Sequence, residues 1–479
     1  MSKIFKIVTV LLIATLILFF ACSKKKPNGP EPPKYKWTIL GYFDGNNSED
    51  QTLDGHSYVI RDLQELEQID STEDVQVLVM LGSFKTDGNC KYYHVERHLN
   101  EPEDSVSSEV VLDLGKKDMS DPATLRNFLN YGVQNYSAVH YMLIINDHAG
   151  GWMGLCSDTI NGNGDWMSLP ELSFALSGFK FDIIWFYTPS MATAEVAYQI
   201  KEMAEYMIAS QFHFHPDTIM GSSEWLPYLT DNPDVSVWSF ARKVTQAIKN
   251  AVERISPDKH FQSVLLDLTI ISEVATDISN LGRDMIDSAG SYWNEIWDAW
   301  AGSHTYKECD SVYVHLREFA RQIQTQPNLD STIRNDAQDL VTSINEAVKV
   351  EFMHPSYPHR ELGGISIYLP WNQNYFDSAG YAQLDFVATG WQDFISTFLR
   401  SFPDSYAGIL NVISKPTGAR VYLNGVDTGY ETNAIIGGLL PGPYELKLVK
   451  TGYQEKTQHI EIFAQQTTFA SIELPPLTQ

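Results

Sequence analysis

The chain has 479 residues, 43% of them hydrophobic, and a formal net charge of −26. That charge removes the positive footprint a nucleic-acid binder needs, so nucleic acid is excluded as a partner. The four cysteines cannot build a disulfide framework, so stability must come from burial, and a chain of this length spreads it over more than one domain.

Lys3 and Lys6 precede a nearly unbroken apolar run from Ile7 to Ala21. The run falls short of the about 20 residues of a comfortable bilayer span and fits the apolar region of an export signal over residues 1–21. Ala21-Cys22, followed by Ser23 and three lysines, resembles a bacterial lipobox. That resemblance implies lipidation of Cys22 and a membrane partner held through the lipid. Phe19 and Phe20 depart from the lipobox pattern, and an ordinary cleaved signal or an uncleaved anchor remain alternatives. Residues 22–36 are rich in Pro and Lys and read as a tether.

From Trp37 to about Leu229 apolar runs alternate with amphipathic stretches. Strands are predicted at Trp37–Phe43, Val75–Leu81, His140–Ile145, Phe181–Phe186 and Tyr206–Ser210. Helices are predicted at Tyr58–Ile69, Asp121–Tyr136 and Ala192–Met203, the second opening on an Asp-Pro cap and first turn. Alternation of this kind, with strands apolar throughout, predicts a mainly parallel sheet covered on both faces. Val235–Val350 reads as mostly helical, with Trp293, Trp297 and Trp300 at the spacing of a core-facing stripe; an aromatic platform for sugar or peptide is the alternative. Gly364–Leu369 reads as a strand, Trp391–Leu399 as a closing helix, and Ser401–Asp404 as a joint. From Gly408 onward, short β-branched runs punctuated by Gly and Pro predict a small all-β module.

Two polar clusters are weak metal signals. Asp158, Asn161, Asn163 and Asp165 place oxygens at short spacing, but an EF-hand loop would need Gly at Trp166 and Glu at Leu172. His213 and His215 share a strand face without a third ligand. The residues themselves imply neither metal nor cofactor.

Several stretches taken in order resemble the clostripain-like cysteine peptidases. They are WTILGYFDGNN from Trp37, the segment Asp121–Trp152, the segment Phe181–Ser210, Trp225-Leu226-Pro227-Tyr228, and GISIYLP from Gly364. The resemblance covers about residues 37–400 and implies a caspase-like three-layer α/β sandwich over 37–402. Residues 407–476 resemble a PEGA domain, with Pro416-Thr417-Gly418-Ala419 standing for Pro-Glu-Gly-Ala and VYLNGVDTG following. This implies a small β-sandwich with a surface-binding role.

A cysteine peptidase needs a thiolate with a histidine beside it. The family's histidine falls on His148, but Ala149 replaces the glycine that follows it. An added methyl there sits where the backbone is meant to offer an oxyanion donor, and it disfavours positive φ. The family's Asp-Ala-Cys-Leu-Met-Ala falls on Tyr187, Thr188, Pro189, Ser190, Met191 and Ala192. Pro189 thus stands at the nucleophile position with neither a nucleophilic atom nor a backbone N–H. Tyr187 replaces the acid that selects a basic side chain. The expectation is a catalytically inactive homologue on the bacterial cell envelope, facing outward or into the periplasm, that binds a peptide, protein or cell-surface polymer. The alternatives are an active endopeptidase in which Ser190 or Cys156, or less aptly Thr188, works with His148, and a structural surface protein with a filled cleft. Some family members use calcium, the one ion the resemblance leaves open.

Overall fold

The computed structural model describes residues 33–47, 50–52, 54–100, 102–212, 220–255, 262–288, 292–303, 312–353, 364–371, 373–401, 407–463 and 466–477. The export signal, Cys22, His213, His215, Cys309 and most of the 401–404 joint lie outside these residues.

The first module is built on a nine-stranded sheet. In chain order its strands are β1 (Tyr35–Gly45), β2 (Val75–Ser83), β3 (Asn89–His94), β4 (Glu109–Lys116), β5 (Ala138–Asn146), β8 (Phe181–Tyr187), β9 (Ala204–Ala209), β10 (Gln262–Asp267) and β12 (Val348–Met353). Across the sheet they run β12-β10-β9-β8-β5-β1-β2-β3-β4. The central strands β9, β8, β5, β1 and β2 are parallel, and the flanking strands pair antiparallel. The parallel strands carry Val, Ile, Leu and Met on both faces because both faces are covered. One face packs α1 (Tyr58–Leu66), α5 (Ser222–Asp231) and α6 (Val237–Ile255) through Val59, Leu63, Trp225 and Phe240. The other packs α2 (Pro122–Asn135), α3 (Leu169–Leu176), α4 (Ala194–Ile200), α7 (Ile271–Ser288), α8 (Trp293–Ala301), α9 (Leu316–Thr325), α10 (Ser331–Ala347) and α12 (Trp391–Arg400). A short α11 (Ser378–Tyr381) lies between the last two. The result is three layers, helix, sheet, helix.

Local chemistry fixes the helix starts. Ser57 caps α1 by accepting from Ile60 N at 3.3 Å. Asp121 caps α2 by accepting from Ala123 N at 2.8 Å, with Pro122 in the first turn. Two helices are shorter than their periodicity predicts. α1 ends at Leu66, and α4 starts only at Ala194, after Thr193 caps it. The stretch expected to be mostly helical also holds β10, β11 (Tyr313–His315) and the start of β12. The predicted strand after Gly364 is β13 (Ser366–Tyr368), which pairs with β11 in a separate two-stranded sheet. Two more short strands, β6 (Leu155–Ser157) and β7 (Trp166–Met167), pair with each other.

The tryptophan stripe of α8 faces the core. Trp297 is buried and stacks on Phe398 at 3.9 Å, and Trp300 Nε1 donates to the Leu369 carbonyl at 3.1 Å.

The second module holds β14 (Gly408–Lys415), β15 (Arg420–Leu423), β16 (Val426–Glu431), β17 (Ala434–Leu439), β18 (Gly442–Val449), β19 (Lys456–Ile462) and β20 (Thr467–Glu473). They form two sheets, β17-β14-β20 and β16-β15-β18-β19. The sheets close over Leu410, Val412, Val421, Leu446 and Leu448, and Trp371 of the first module joins this core.

Candidate active-site cleft

The parallel strands end together on one side of the sheet, where an open α/β sheet binds its ligands. Register places Asn146 beside Phe43 on one side and Tyr187 on the other. Asp44 near the end of β1, and the residues that follow β5 and β8, Asp147-His148 and Thr188-Pro189, therefore sit at neighbouring strand ends. His148 is half-buried in the loop after β5, and its carbonyl accepts from Cys156 N at 3.1 Å. Pro189 is half-buried in the turn after β8. The structure thus brings the two positions picked from sequence to adjacent strand ends.

The surroundings of Pro189 are closed. Ser190 is fully buried, with φ of 59°, and its backbone N–H donates to the Phe212 carbonyl at 3.4 Å. Thr188 is fully buried, and its hydroxyl has no hydrogen-bond partner among the described residues. Cys156 is a free, fully buried thiol on β6. Burial, reinforced by the Asp147 and Asp44 charges, pushes that thiol well above its ordinary range. A thiol so placed is the opposite of an activated one.

Ala149 is buried and forms an isolated bridge with Leu155. It is absent from the positive-φ residues of the described chain. The position does not need a positive φ, so alanine is accommodated there without backbone strain. The neighbouring glycines are packed against the second layer. The Tyr313 hydroxyl donates to the Gly150 carbonyl at 2.8 Å and accepts from Trp152 N at 3.0 Å. A Cβ on Gly151 would collide with that hydroxyl and come within 3.1 Å of the Ser190 carbonyl.

Tyr187 is buried on the opposite face of the sheet from Phe186, edge-on to Trp185 at 5.2 Å. Burial, with the Asp62 charge next, pushes its phenol well up. It offers no charge to a basic side chain.

Sequence reading missed a set of buried acids: Asp44 near the end of β1, Asp50 in the loop after it, and Asp62 and Glu65 on α1. Asp44 is pushed up to about 8 by burial and the nearby Asp158 charge. Asp50 is pushed up to about 7 by burial, although Ser57, Val59 and Ser83 all donate to it. Asp62 accepts from Asn146 Nδ2 at 2.8 Å, and Glu65 from Met220 N and Ser222 N at 2.9 and 2.7 Å. The available signal was an acid closing an apolar strand run, as in ILGYFD and LIIND.

Among the described residues two groups bring three ligand-type atoms within 4.8 Å of one another: Asp44 with Asp147 and Cys156, and His94 with Glu96 and Glu109. The turn at 158–165 does not fit calcium. Asp158 Oδ1 accepts from Ile160 N, Asn161 N and Gly162 N, and Oδ2 accepts from Asn46 Nδ2 and Met119 N. Both oxygens are filled by N–H donors, as in a polar turn.

A cavity of about 320 Å³ opens at the start of α1, lined by Thr52, His56, Arg61, Gln64, Glu103 and Asp104 among others. The hydrogen bond that the His56 ring donates to Asp104 raises the imidazole above its usual value, and Glu103 lies 2.9 Å from its other nitrogen.

A three-layer sandwich with a histidine loop and a nucleophile turn on adjacent strand ends is the caspase-like class of peptidase folds. The chain belongs to the clostripain family, whose model matches residues 42–398, and a PEGA domain model matches residues 407–478. It is similar to clostripain of Hathewaya histolytica, at 25% identity over 327 residues. That match covers 56% of this chain and 59% of clostripain, less than two thirds of the relative's length. The fold is also that of a secreted C11 cysteine protease from Bacteroides thetaiotaomicron solved with an irreversible peptide inhibitor. The TM-score is 0.56 at 18% identity, over 74% of this chain and 99% of that one. An inactive zymogen C11 protease from Parabacteroides distasonis matches with a TM-score of 0.52 at 18% identity, over 75% of this chain and 99% of that one.

Proposed function

We propose that this chain is a catalytically inactive clostripain-family protein, held on the cell envelope through a lipidated Cys22, that binds peptide or surface polymer instead of cutting it. The observation that carries this reading is Pro189 in the turn after β8, beside the strand that leads to His148. Its neighbours cannot take over without rearrangement. Ser190 is buried with its N–H committed, and Cys156 is a buried thiol held protonated. An oxyanion hole built on the nucleophile's own amide is unavailable to a proline.

Binding is supported by two surfaces. One is the cavity at the start of α1, which presents Arg61 and His56 among carboxylates, with the imidazole raised above its usual value by its hydrogen bond to Asp104. The other is the outer face of the β17-β14-β20 sheet. Strand alternation and register bring exposed Ile409, Ile413, Ile435 and Phe469 to one side of it. Such a face suits attachment to surface material.

Purified protein incubated with a peptide library should give no cleavage above buffer. Reproducible hydrolysis that His148→Ala abolishes would overturn the reading. In cells, Cys22→Ser should move the protein from the membrane to the soluble fraction; unchanged membrane partition would remove the lipid anchor.

A further inference from the structure

We propose that the lipid anchor and the candidate cleft lie at opposite ends of the sheet, so that the membrane-held chain turns its cleft and its β-sandwich away from its own lipid surface. The surface facing the lipid is the end where β1 and β5 begin. The inference rests on the reading that Cys22 carries the lipid. It decides what the cleft can meet: peptide or polymer arriving from the far side, in place of anything lying on the protein's own membrane.

The point where the tether leaves the body is fixed. Lys34 N and Tyr35 N both donate to the Ser137 carbonyl, at 2.8 and 3.0 Å, and Lys36 N donates to the Asp74 carbonyl at 2.9 Å. These bonds pin the chain to the residues just before β5 and β2, where the parallel strands start. Val139, the second residue of β5, is 57% exposed at that end. From there β1 runs for 11 residues to Gly45. At about 3.3 Å per residue that is ~33 Å, and β5 carries the chain a similar distance before His148.

The features that could take a ligand collect at the far end. His148 and Pro189 follow β5 and β8, and the cavity lined by Thr52, His56 and Arg61 opens where α1 begins, after β1 has ended. The β-sandwich docks at the same end through a run of rings. Trp152, just beyond His148, lies 5.2 Å from Tyr368, and the Tyr368 hydroxyl donates to the Tyr375 carbonyl. Tyr375 in turn stands 5.2 Å from Trp371, which enters the sandwich core.

Reach sets the orientation. Cys22 and Lys34 are twelve residues apart, and a stretch of that length spans at most about 40 Å when fully extended. Bringing the cleft to the lipid would use ~33 Å of it to run back along the strand. What remains, under about 10 Å, is less than the width of one of the helices that cover both faces of the sheet.

The test is energy transfer from a dye on the full chain to an acceptor on a lipid headgroup, in vesicles of phosphatidylglycerol and phosphatidylethanolamine. Cys90 and Cys156 are buried, and Cys309→Ser removes the remaining native thiol. The dye is placed at Val139→Cys or at Met153→Cys, the latter 51% exposed in the turn after His148. Transfer should be at least about threefold stronger from Val139→Cys, because ~33 Å of strand separates the two ends. Equal transfer, or stronger transfer from Met153→Cys, would overturn the proposal. The intact mass of the membrane-extracted chain reports separately on the lipid at Cys22. Should Cys22 carry none, the anchor reading falls. The chain from residue 22 is then held on nickel-chelating vesicles by an N-terminal hexahistidine, and the same transfer ratio decides whether a chain held by this end turns its cleft away.

Discussion

At the scale of single residues the cleft is defined by what is held protonated. Burial pushes the Cys90 thiol up to about 12, and Cys156 well above its usual range. Alkylation proceeds through the thiolate, so neither cysteine should react with iodoacetamide in the native protein. Mass spectrometry should find both labelled only after unfolding. Native labelling of Cys156 would revive the reading in which it serves as nucleophile. The acids titrate in a window that stability measurements can see. Asp50 and Glu65 are pushed from ordinary values of 3.8 and 4.5 up to about 7 by burial. Between those values the folded chain keeps protons the unfolded chain has released. Their contribution to stability is therefore full below about pH 4 and is lost as pH rises through about 7. The melting temperature should fall from about pH 5 to about pH 8, and Asp50→Asn, which mimics the protonated group, should flatten that slope. An unchanged slope in the variant would remove Asp50 from this role.

The secondary-structure elements show what a sequence can and cannot disclose. Strands β1, β2, β5, β8 and β9 start and stop within two residues of their apolar runs, because burial on both faces leaves an unbroken signal. The β3–β4 hairpin gave none: β4 sits at the sheet edge with Val110 and Leu112 exposed, so burial imposes no alternation on it. The cleft was partly legible for the same reason. His148 and Pro189 stand out through the family resemblance, which is anchored on the strands just before them, β5 and β8, that are easy to place. Asp44 carried only the signal of an acid closing a strand run, and Asp50 and Glu65 carried none, because the neighbours that act on these acids are set by the fold. Glu65 is the clearest case, since it sits on α1 yet accepts from the backbone N–H groups of Met220 and Ser222 at the start of α5. Glu65→Ala would leave two buried donors unpaired and cost about 2–4 kcal/mol. Urea denaturation should show that loss; a change below about 0.5 kcal/mol would mean that water replaces the carboxylate.

On the scale of the whole molecule, the two modules meet at an aromatic contact that neither module's pattern predicts: among the described residues Trp371 enters the sandwich core, and Trp300 and Tyr375 pack against it. Trp371 follows β13 of the peptidase-fold module, yet it is 2% exposed and lies in the hydrophobic core of the β-sandwich. Its ring stands 6.3 Å from that of Tyr444 and 5.2 Å from that of Tyr375. Gly442 makes the approach possible, since a Cβ there would come within 2.7 Å of the indole, and its φ of 133° already favours glycine. A β-sandwich docked by an indole is held at a set place relative to the cleft. Removing the indole should therefore release the coupling before it unfolds either half. Trp371→Ala should cost about 3–5 kcal/mol, and calorimetry should resolve one wild-type transition into two. Gly442→Ala should give a weaker version of the same split, because the tryptophan remains but is displaced. A single, merely lowered transition in Trp371→Ala would mean that the modules are joined by more than this contact.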